Sequence, residues 1–203
     1  MKLPELLNSD FSEKVVRPYI IAEAGVNHEG DMDLAMRLID EAREGGAHAI
    51  KFQTYKAETI ASKDSPVYWD ITKESTQSQF KLFKKYDKFW KREFEALKKY
   101  CDQTDIEFMS TPFDLESAAF LIDLMDVFKI SSSDITNKPF IKFICDFEKP
   151  IILSTGASNL PEIGEAVSWI DEGGNALVLL HCILNYPTDD KNANLAMIGD
   201  LIQ

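Results

Sequence analysis

Two lysines stand inside apolar runs. Lys51 follows Ala49-Ile50 and Lys129 follows Val127-Phe128. A buried, unpaired ammonium group costs several kcal/mol, so each needs a partner. One reading pairs each lysine with a buried carboxylate such as Glu23. A second turns both toward an anion, helped by the hydroxyls of Thr111, Ser132 and Ser154; two ammonium groups and three hydroxyls suit a phosphate plus a carboxylate. A third desolvates one lysine into a Schiff-base nucleophile, which borohydride trapping with pyruvate would detect. Residue chemistry alone leaves the three open. The histidines say less. His48 reads as a satisfied core histidine and His28 as a residue that shapes a turn. His181 could be a ligand but has no second ligand at useful spacing.

The elements that must hold these groups are short apolar runs alternating with helical patterns. Strands are expected at 19–26, 47–54, 106–110, 127–130, 150–154 and 176–181, rich in Ile, Val, Leu and Phe as in parallel strands buried on both faces. Asp31 and Asp114 are placed to cap helices, the first carrying Leu34, Ala35, Leu38 and Ala42 and ending at Gly45-Gly46, the second carrying Ala118, Leu121 and Met125. Trp90, Phe94, Leu97 and Cys101 form a stripe at helical spacing. Pro139 and Pro161 fall in the first turns of two more helices, the later one presenting Ala166, Trp169 and Ile170 and closed by Gly173-Gly174. The long connection after Thr54, with Tyr68 and Trp69, suits a lid or binding loop; a peripheral insertion is the plainer reading.

In parallel α/β folds ligands bind at the carboxyl ends of the strands. Here those ends are polar: Glu23 to His28, Lys51 to Thr54, Ser110 to Phe113, Lys129 to Asp134, Ser154 to Gly156 and His181 to Pro187. Six βα units fit either a doubly wound sheet or a TIM barrel. The absence of G-x-G-x-x-G after the first strand, and of a P-loop, lowers the nucleotide-binding options.

A net charge of −12 over 203 residues argues against nucleic acid or an anionic membrane as partner. The three cysteines, Cys101, Cys145 and Cys182, form no C-x-x-C pair and read as reduced thiols of a cytosolic protein. No run approaches the roughly 20 apolar residues that span a bilayer. The polar start, interrupted by Pro4, lacks the apolar stretch of a signal peptide.

The segments IIAEAGVNHEGD, IKFQTY, FMSTPFD, FKISSSDITN, PIILSTGAS and LLHCILNYPT, in this order, resemble the N-acetylneuraminate (sialic acid) synthase family from about Tyr19 onward. That family includes synthases for sialic, legionaminic and pseudaminic acids. The resemblance implies a TIM (β/α)₈ barrel followed by a small antifreeze-like domain, paired as a domain-swapped homodimer in the cytoplasm. It implies condensation of phosphoenolpyruvate with an N-acetylated amino-sugar aldehyde, to give a nonulosonic acid and phosphate. Lys51, Thr111, Lys129, Ser132 and Ser154 match positions that hold phosphoenolpyruvate. Gln53, Phe113 and Tyr186 match positions around the sugar, and Glu23 matches the acidic residue of the first-strand motif. A divalent metal, manganese being the expected ion, would polarise the aldehyde. C3 of phosphoenolpyruvate attacks that carbon, water adds at C2, and phosphate leaves by C–O cleavage. Asp134 is the candidate for positioning or deprotonating the water.

Two departures bear on the sugar. The family's K-I-G-S-G-E reads Lys129-Ile130-Ser131-Ser132-Ser133-Asp134 here, so the acid is one methylene shorter. His181-Cys182-Ile183-Leu184-Asn185 stands where H-C-T and an Asn are common, which loses the polar contact or moves it to Asn185. A complete barrel takes about 250 residues. Residues 1–18 are therefore expected to be an extension and 19–203 an incomplete barrel of about six βα units. Strands seven and eight, the family's two metal histidines and the antifreeze-like domain are expected beyond Gln203, leaving no metal ligands in this stretch. An inactive barrel fragment that binds phosphoenolpyruvate weakly is the non-enzymatic alternative.

Overall fold

Each apolar run with a polar carboxyl end becomes a parallel strand. The computed structural model describes residues 2–4, 18–185 and 187–202, and the chain divides into two compact units, Met1–Met125 and Asp126–Gln203.

The first unit carries β1 (Ile21–Gly25), β2 (Ala49–Thr54) and β3 (Glu107–Pro112), parallel and side by side in chain order. Between β1 and β2 runs α1 (Met32–Glu44). Asp31 caps it, its carboxylate accepting from the Leu34 N–H at 3.0 Å, and Ala35 and Ile39 are its buried face. The long connection after β2 holds α2 (Ala57–Ile60) and α3 (Gln79–Tyr86) before α4 (Lys91–Gln103), which buries Phe94, Leu97 and Cys101. After β3, Asp114 caps α5 (Leu115–Leu121) by accepting from the Ser117 N–H at 2.7 Å.

Side chains alternate along a strand, so register decides which share a face. Glu23 lies beside Lys51, Lys51 beside Met109, and Gln53 beside Thr111. These residues therefore line one face, while Ile50, Phe52 and Phe108 line the other. There the rings of Phe52 and Phe108 stack 5.9 Å apart. The start of the chain is tied to the base of this sheet: Leu3 donates its N–H to Glu107 Oε2 at 3.0 Å, and the Tyr19 hydroxyl donates to the same oxygen at 2.6 Å. Most of the expected 1–18 extension lies outside the described residues.

The second unit repeats the scheme with β4 (Phe128–Ile130), β5 (Ile151–Ser154) and β6 (Leu177–Leu180), again parallel and in chain order. Asn137 caps α6 (Lys138–Cys145), which buries Phe140, Ile141, Ile144 and Cys145. Asn159 caps α7 (Leu160–Glu172) reciprocally, with Glu162 accepting from the Asn159 N–H at 2.9 Å. Pro139 and Pro161 occupy the first turns, where the missing N–H costs nothing. A short α8 (Met197–Leu201) follows. Lys129, Ile152 and Val178 are register neighbours on one face, and Ser154 joins them two positions along β5.

All the expected strands form, as two three-stranded sheets, one in each unit. Three local expectations need correction. The second capped helix stops at Leu121 because the chain turns at Ile122; Met125 lies beyond it, buried, with its sulfur accepting from the Ser110 N–H at 2.9 Å. Trp90 precedes α4 rather than joining its stripe, and packs edge-on against Phe120 with Lys56 Nζ 4.7 Å above its ring. His48 is satisfied but exposed: its Nδ1 accepts from the Ile20 N–H and its ring stacks on Tyr19. Among the described residues no helix is long and apolar enough to cross a membrane.

Candidate active site

In the first unit, adjacent strand ends bring four of the expected site residues to one face. Lys51 Nζ donates to Glu23 Oε2, so this lysine takes the ion-paired arrangement. The pair is asymmetric in burial: the lysine side chain is 13% exposed and the carboxylate 49%. The stem is thus packed away while the acid stays open to solvent and ligand. Gln53 sits one pleat further along β2 beside Thr111, which is buried at 2% exposure.

The ladder slips between Glu23 and Gly25, a bulge at the exit of β1, and Gly25 adopts φ +53°. A Cβ on Gly25 would lie 3.3 Å from Glu23 Oε1 and 3.7 Å from Gln53 Nε2. The bare glycine therefore leaves both the carboxylate and the carboxamide room beside the exit of β1. Beneath, on the opposite face, the buried hydroxyls of Thr54 and Ser110 bond at 2.6 Å and tie β2 to β3. Phe113, just past β3, meets Tyr55 edge-on at 6.1 Å, and Tyr55 meets Phe83 of α3 at 5.6 Å. The long connection is thus partly packed against a residue expected to contact the sugar. Burial, with Asp87 nearby, pushes the Tyr55 phenol up.

In the second unit, Lys129 is 6% exposed and donates to the Ile130 carbonyl at 2.7 Å. The turn after β4 runs Ser132–Asp134 as a single tight coil that buries Ser132. Asp134 accepts from Asn137 Nδ2 at 3.5 Å and Ser133 Oγ at 3.4 Å. Burial pushes its carboxyl above the usual range, while those two bonds and the charge of Lys129 pull it back. A carboxyl raised this way holds a proton more readily than a free one, as a group that takes and returns protons must. Ser154 ends β5 on the face that carries Lys129. His181 meets the Ala193 carbonyl at 2.7 Å. Tyr186 lies outside the described residues.

The structure thus groups Glu23, Lys51, Gln53 and Thr111 in one unit, and Lys129 with Asp134, Ser132 and Ser154 in the other. Sequence reasoning undervalued His28 and Gly25. His28 is 1% exposed, and its ring stacks on Phe89 at 4.1 Å. The available signal was the His-x-Gly spacing, since the Gly30 N–H donates to His28 Nδ1 at 3.0 Å across a turn in which Glu29 and Gly30 both have positive φ.

Comparison with known proteins adds the family. The model of the NeuB family matches residues 38–203. The N,N'-diacetyllegionaminic acid synthase of Campylobacter jejuni subsp. jejuni serotype O:2 is 41% identical over 189 residues, covering 90% of this chain and 56% of that protein. The protein of the same name from Legionella pneumophila subsp. pneumophila is 39% identical over 191 residues, covering 90% and 53%. The crystal structure of N-acetylneuraminic acid (sialic acid) synthetase from Leptospira borgpetersenii serovar Hardjo-bovis, in complex with citrate, superposes with a TM-score of 0.80 at 38% identity, covering 90% of this chain and 60% of that one. The chain spans about half the length of the curated relatives it matches. With parallel strands in chain order, polar carboxyl ends and a family match over most of its length, the chain belongs to the NeuB family.

Proposed function

We propose that the chain supplies six βα units of a TIM-barrel synthase that condenses phosphoenolpyruvate with an N-acetylated amino-sugar aldehyde of the N-acetylmannosamine type, giving a nonulosonic acid and phosphate. The observation that carries this reading is the pair of lysine clusters at strand ends. Lys51 with Thr111, and Lys129 with Ser132 and Ser154, each offer one ammonium group and hydroxyls. That chemistry suits a phosphate or a carboxylate, and phosphoenolpyruvate carries one of each. The citrate in the Leptospira relative is likewise a multiply charged anion.

In this reading the lysines neutralise the anion and contribute mainly through preorganised charge. Glu23 holds Lys51 in place. Gln53 and Phe113, with Tyr186, bind the sugar. Asp134 takes a proton from the water that adds at C2 of phosphoenolpyruvate, while the new C–C bond forms between C3 and the aldehyde carbon and the aldehyde oxygen takes a proton from solvent to become a hydroxyl. The C2–O bond then breaks and the bridging oxygen leaves with phosphate. The described residues contain no group of three or more His, Cys, Asp or Glu able to hold a metal ion. Manganese, if bound by the complete protein, would polarise the aldehyde as a Lewis acid. A cytoplasmic location, in keeping with the free cysteines, and a homodimeric assembly belong to the same proposal.

The test uses the full-length polypeptide, phosphoenolpyruvate labelled with ¹⁸O at its bridging position, and a panel of N-acetylated and di-N-acetylated hexosamines. Phosphate should be released only when a sugar is present and should carry the label. Label retained in the sugar acid, or phosphate release indifferent to sugar, would overturn the proposal. Borohydride inactivation in the presence of pyruvate would favour a Schiff-base aldolase instead.

A further inference from the structure

His28 is buried at the exit of β1, yet only half of its hydrogen-bonding capacity is used. Its Nδ1 accepts from the Gly30 N–H. Burial, reinforced by the charge of Lys88, lowers its basicity to about 4, so the ring is neutral at neutral pH. A neutral imidazole whose Nδ1 accepts must carry its proton on Nε2. That Nε2–H is fully buried and has no partner among the described residues. A buried donor left unsatisfied is costly, and native structures answer it with a protein acceptor or an ordered water.

The ring borders a cavity of about 10 Å³. That volume is about the room one water needs. The cavity is lined by His28, Gln53, Tyr55, Tyr86 and Asp87, together with the rings of Phe89 and Phe94. It is therefore polar enough for a water to find the two to four partners it requires. Asp87 is the acid among its lining residues, with Oδ2 already accepting from the Ala57 N–H and Lys84 Nζ; Lys56 donates to the Asp87 and Phe89 carbonyls, and Lys88, whose charge acts on His28, donates to the Glu29 carbonyl. Gln53 matters most among the lining residues. It lines this cavity and stands on the face of β2 that carries Lys51, where its carboxamide and the Glu23 carboxylate both border Gly25.

We propose that His28 is a positioning residue: its Nε2–H donates to a water held in this cavity, and that water donates to Gln53 Oε1 and fixes the orientation of the carboxamide. The bond turns Gln53 Nε2 outward as a donor next to the Glu23 carboxylate. The face then presents a donor and an acceptor side by side, a pairing that reads a hydroxyl or an acetamido group. His28 itself touches no ligand. Identifying that ligand as the sugar rests on the proposed function; the bridge between His28 and Gln53 does not.

The test is spectroscopic and needs no turnover. In the ¹⁵N-labelled 203-residue chain, long-range ¹H–¹⁵N correlations should report the Nε2–H tautomer of His28 at neutral pH, with cross-relaxation from that proton to a long-lived water. In His28→Phe, which keeps a ring against Phe89 but has no donor, hydrogen exchange of the Gln53 carboxamide should rise about tenfold, the factor corresponding to 1.4 kcal/mol. The Gln79 carboxamide, bonded to the Pro66 carbonyl at 2.9 Å, is the internal control and should not change. An Nδ1–H tautomer, a missing water contact, or an unaltered Gln53 in a folded variant would each overturn the proposal. If His28→Phe does not fold, the tautomer and water contact in the unmutated chain decide alone.

Discussion

Replacing Gly25 by alanine separates what this residue does for the fold from what it does for the site. Its φ of +53° lies in the left-handed region. A non-glycine residue there costs roughly 1–2 kcal/mol. Alanine also narrows the unfolded ensemble, which offsets about 0.4–1 kcal/mol of that. The expected net loss is about 1 kcal/mol, or roughly 2–4 °C in melting temperature for a chain of this size. The added Cβ would stand 3.3 Å from Glu23 Oε1. That contact is tight, but the carboxylate is half-exposed and can swing aside, so the steric cost to stability is small. The cost to the site is not, because the swing pulls Glu23 away from Lys51 and from Gln53. Gly46→Ala is the matched control, with φ +81° and nothing within 4 Å of its would-be Cβ. Urea titrations should show similar losses for the two variants. Only Gly25→Ala should shift the side-chain resonances of Gln53 and Lys51 and weaken sugar binding. If both variants leave those resonances alone, the bare Gly25 is not what gives Glu23 and Gln53 their room.

Other outcomes follow from the same geometry. Lys51→Ala and Lys129→Ala should each weaken phosphoenolpyruvate binding by about ten- to a hundredfold, as befits a charge-assisted hydrogen bond; calorimetry showing one lysine to be indifferent would remove it from the anion site. Asp134→Asn in the full-length enzyme should lower turnover by about 10²- to 10⁴-fold with phosphoenolpyruvate affinity nearly unchanged. The same substitution has a stability signature. Because burial raises the Asp134 carboxyl in the fold, its contribution is fully present below the unfolded value and lost as pH rises through the folded one. The Asn variant should therefore gain on the native chain as pH rises and lose that advantage in acid; a pH-independent difference would contradict the assignment. Thr54→Val should cost about 1–3 kcal/mol by stranding the Ser110 hydroxyl. Adding Ser110→Ala should recover part of that loss, which a double-mutant cycle would reveal as coupling.

Much of this arrangement was legible in the residues. The strands declared themselves because burial on both faces demands unbroken apolar runs, as in Ile151-Ile152-Leu153. Asp31, Asp114 and the two prolines announced helix starts because capping is local chemistry. Where helices stop was harder to read. Met125 kept the helical spacing of Ala118 and Leu121, yet the chain turned at Ile122 and sent the sulfur to Ser110. The pairing of Lys51 with Glu23 could be posed but not decided, because register between strands is set by neighbours far along the chain. His28 was undervalued for the same reason: its burial depends on Phe89, supplied by a segment after the long connection.

The three cysteines differ sharply in what reagents can do with them. Cys101 sits fully buried in α4, where burial pushes its thiol up to about 12. Since the thiolate is the reactive species, this sulfur is inert to alkylation while the chain is folded. Cys145 is also buried, its thiol likewise raised by burial. Cys182 is partly exposed just past β6, its sulfur within 3.0 Å of the position a Cβ on Gly156 would take. The native chain therefore carries a single practical attachment point for a fluorophore or spin label, and it lies at the carboxyl ends of β5 and β6. A maleimide probe should couple with a stoichiometry of one per folded chain and of three only after denaturation. The unmodified sequence thus comes ready for distance measurements from that corner of the second sheet, without cysteine removal.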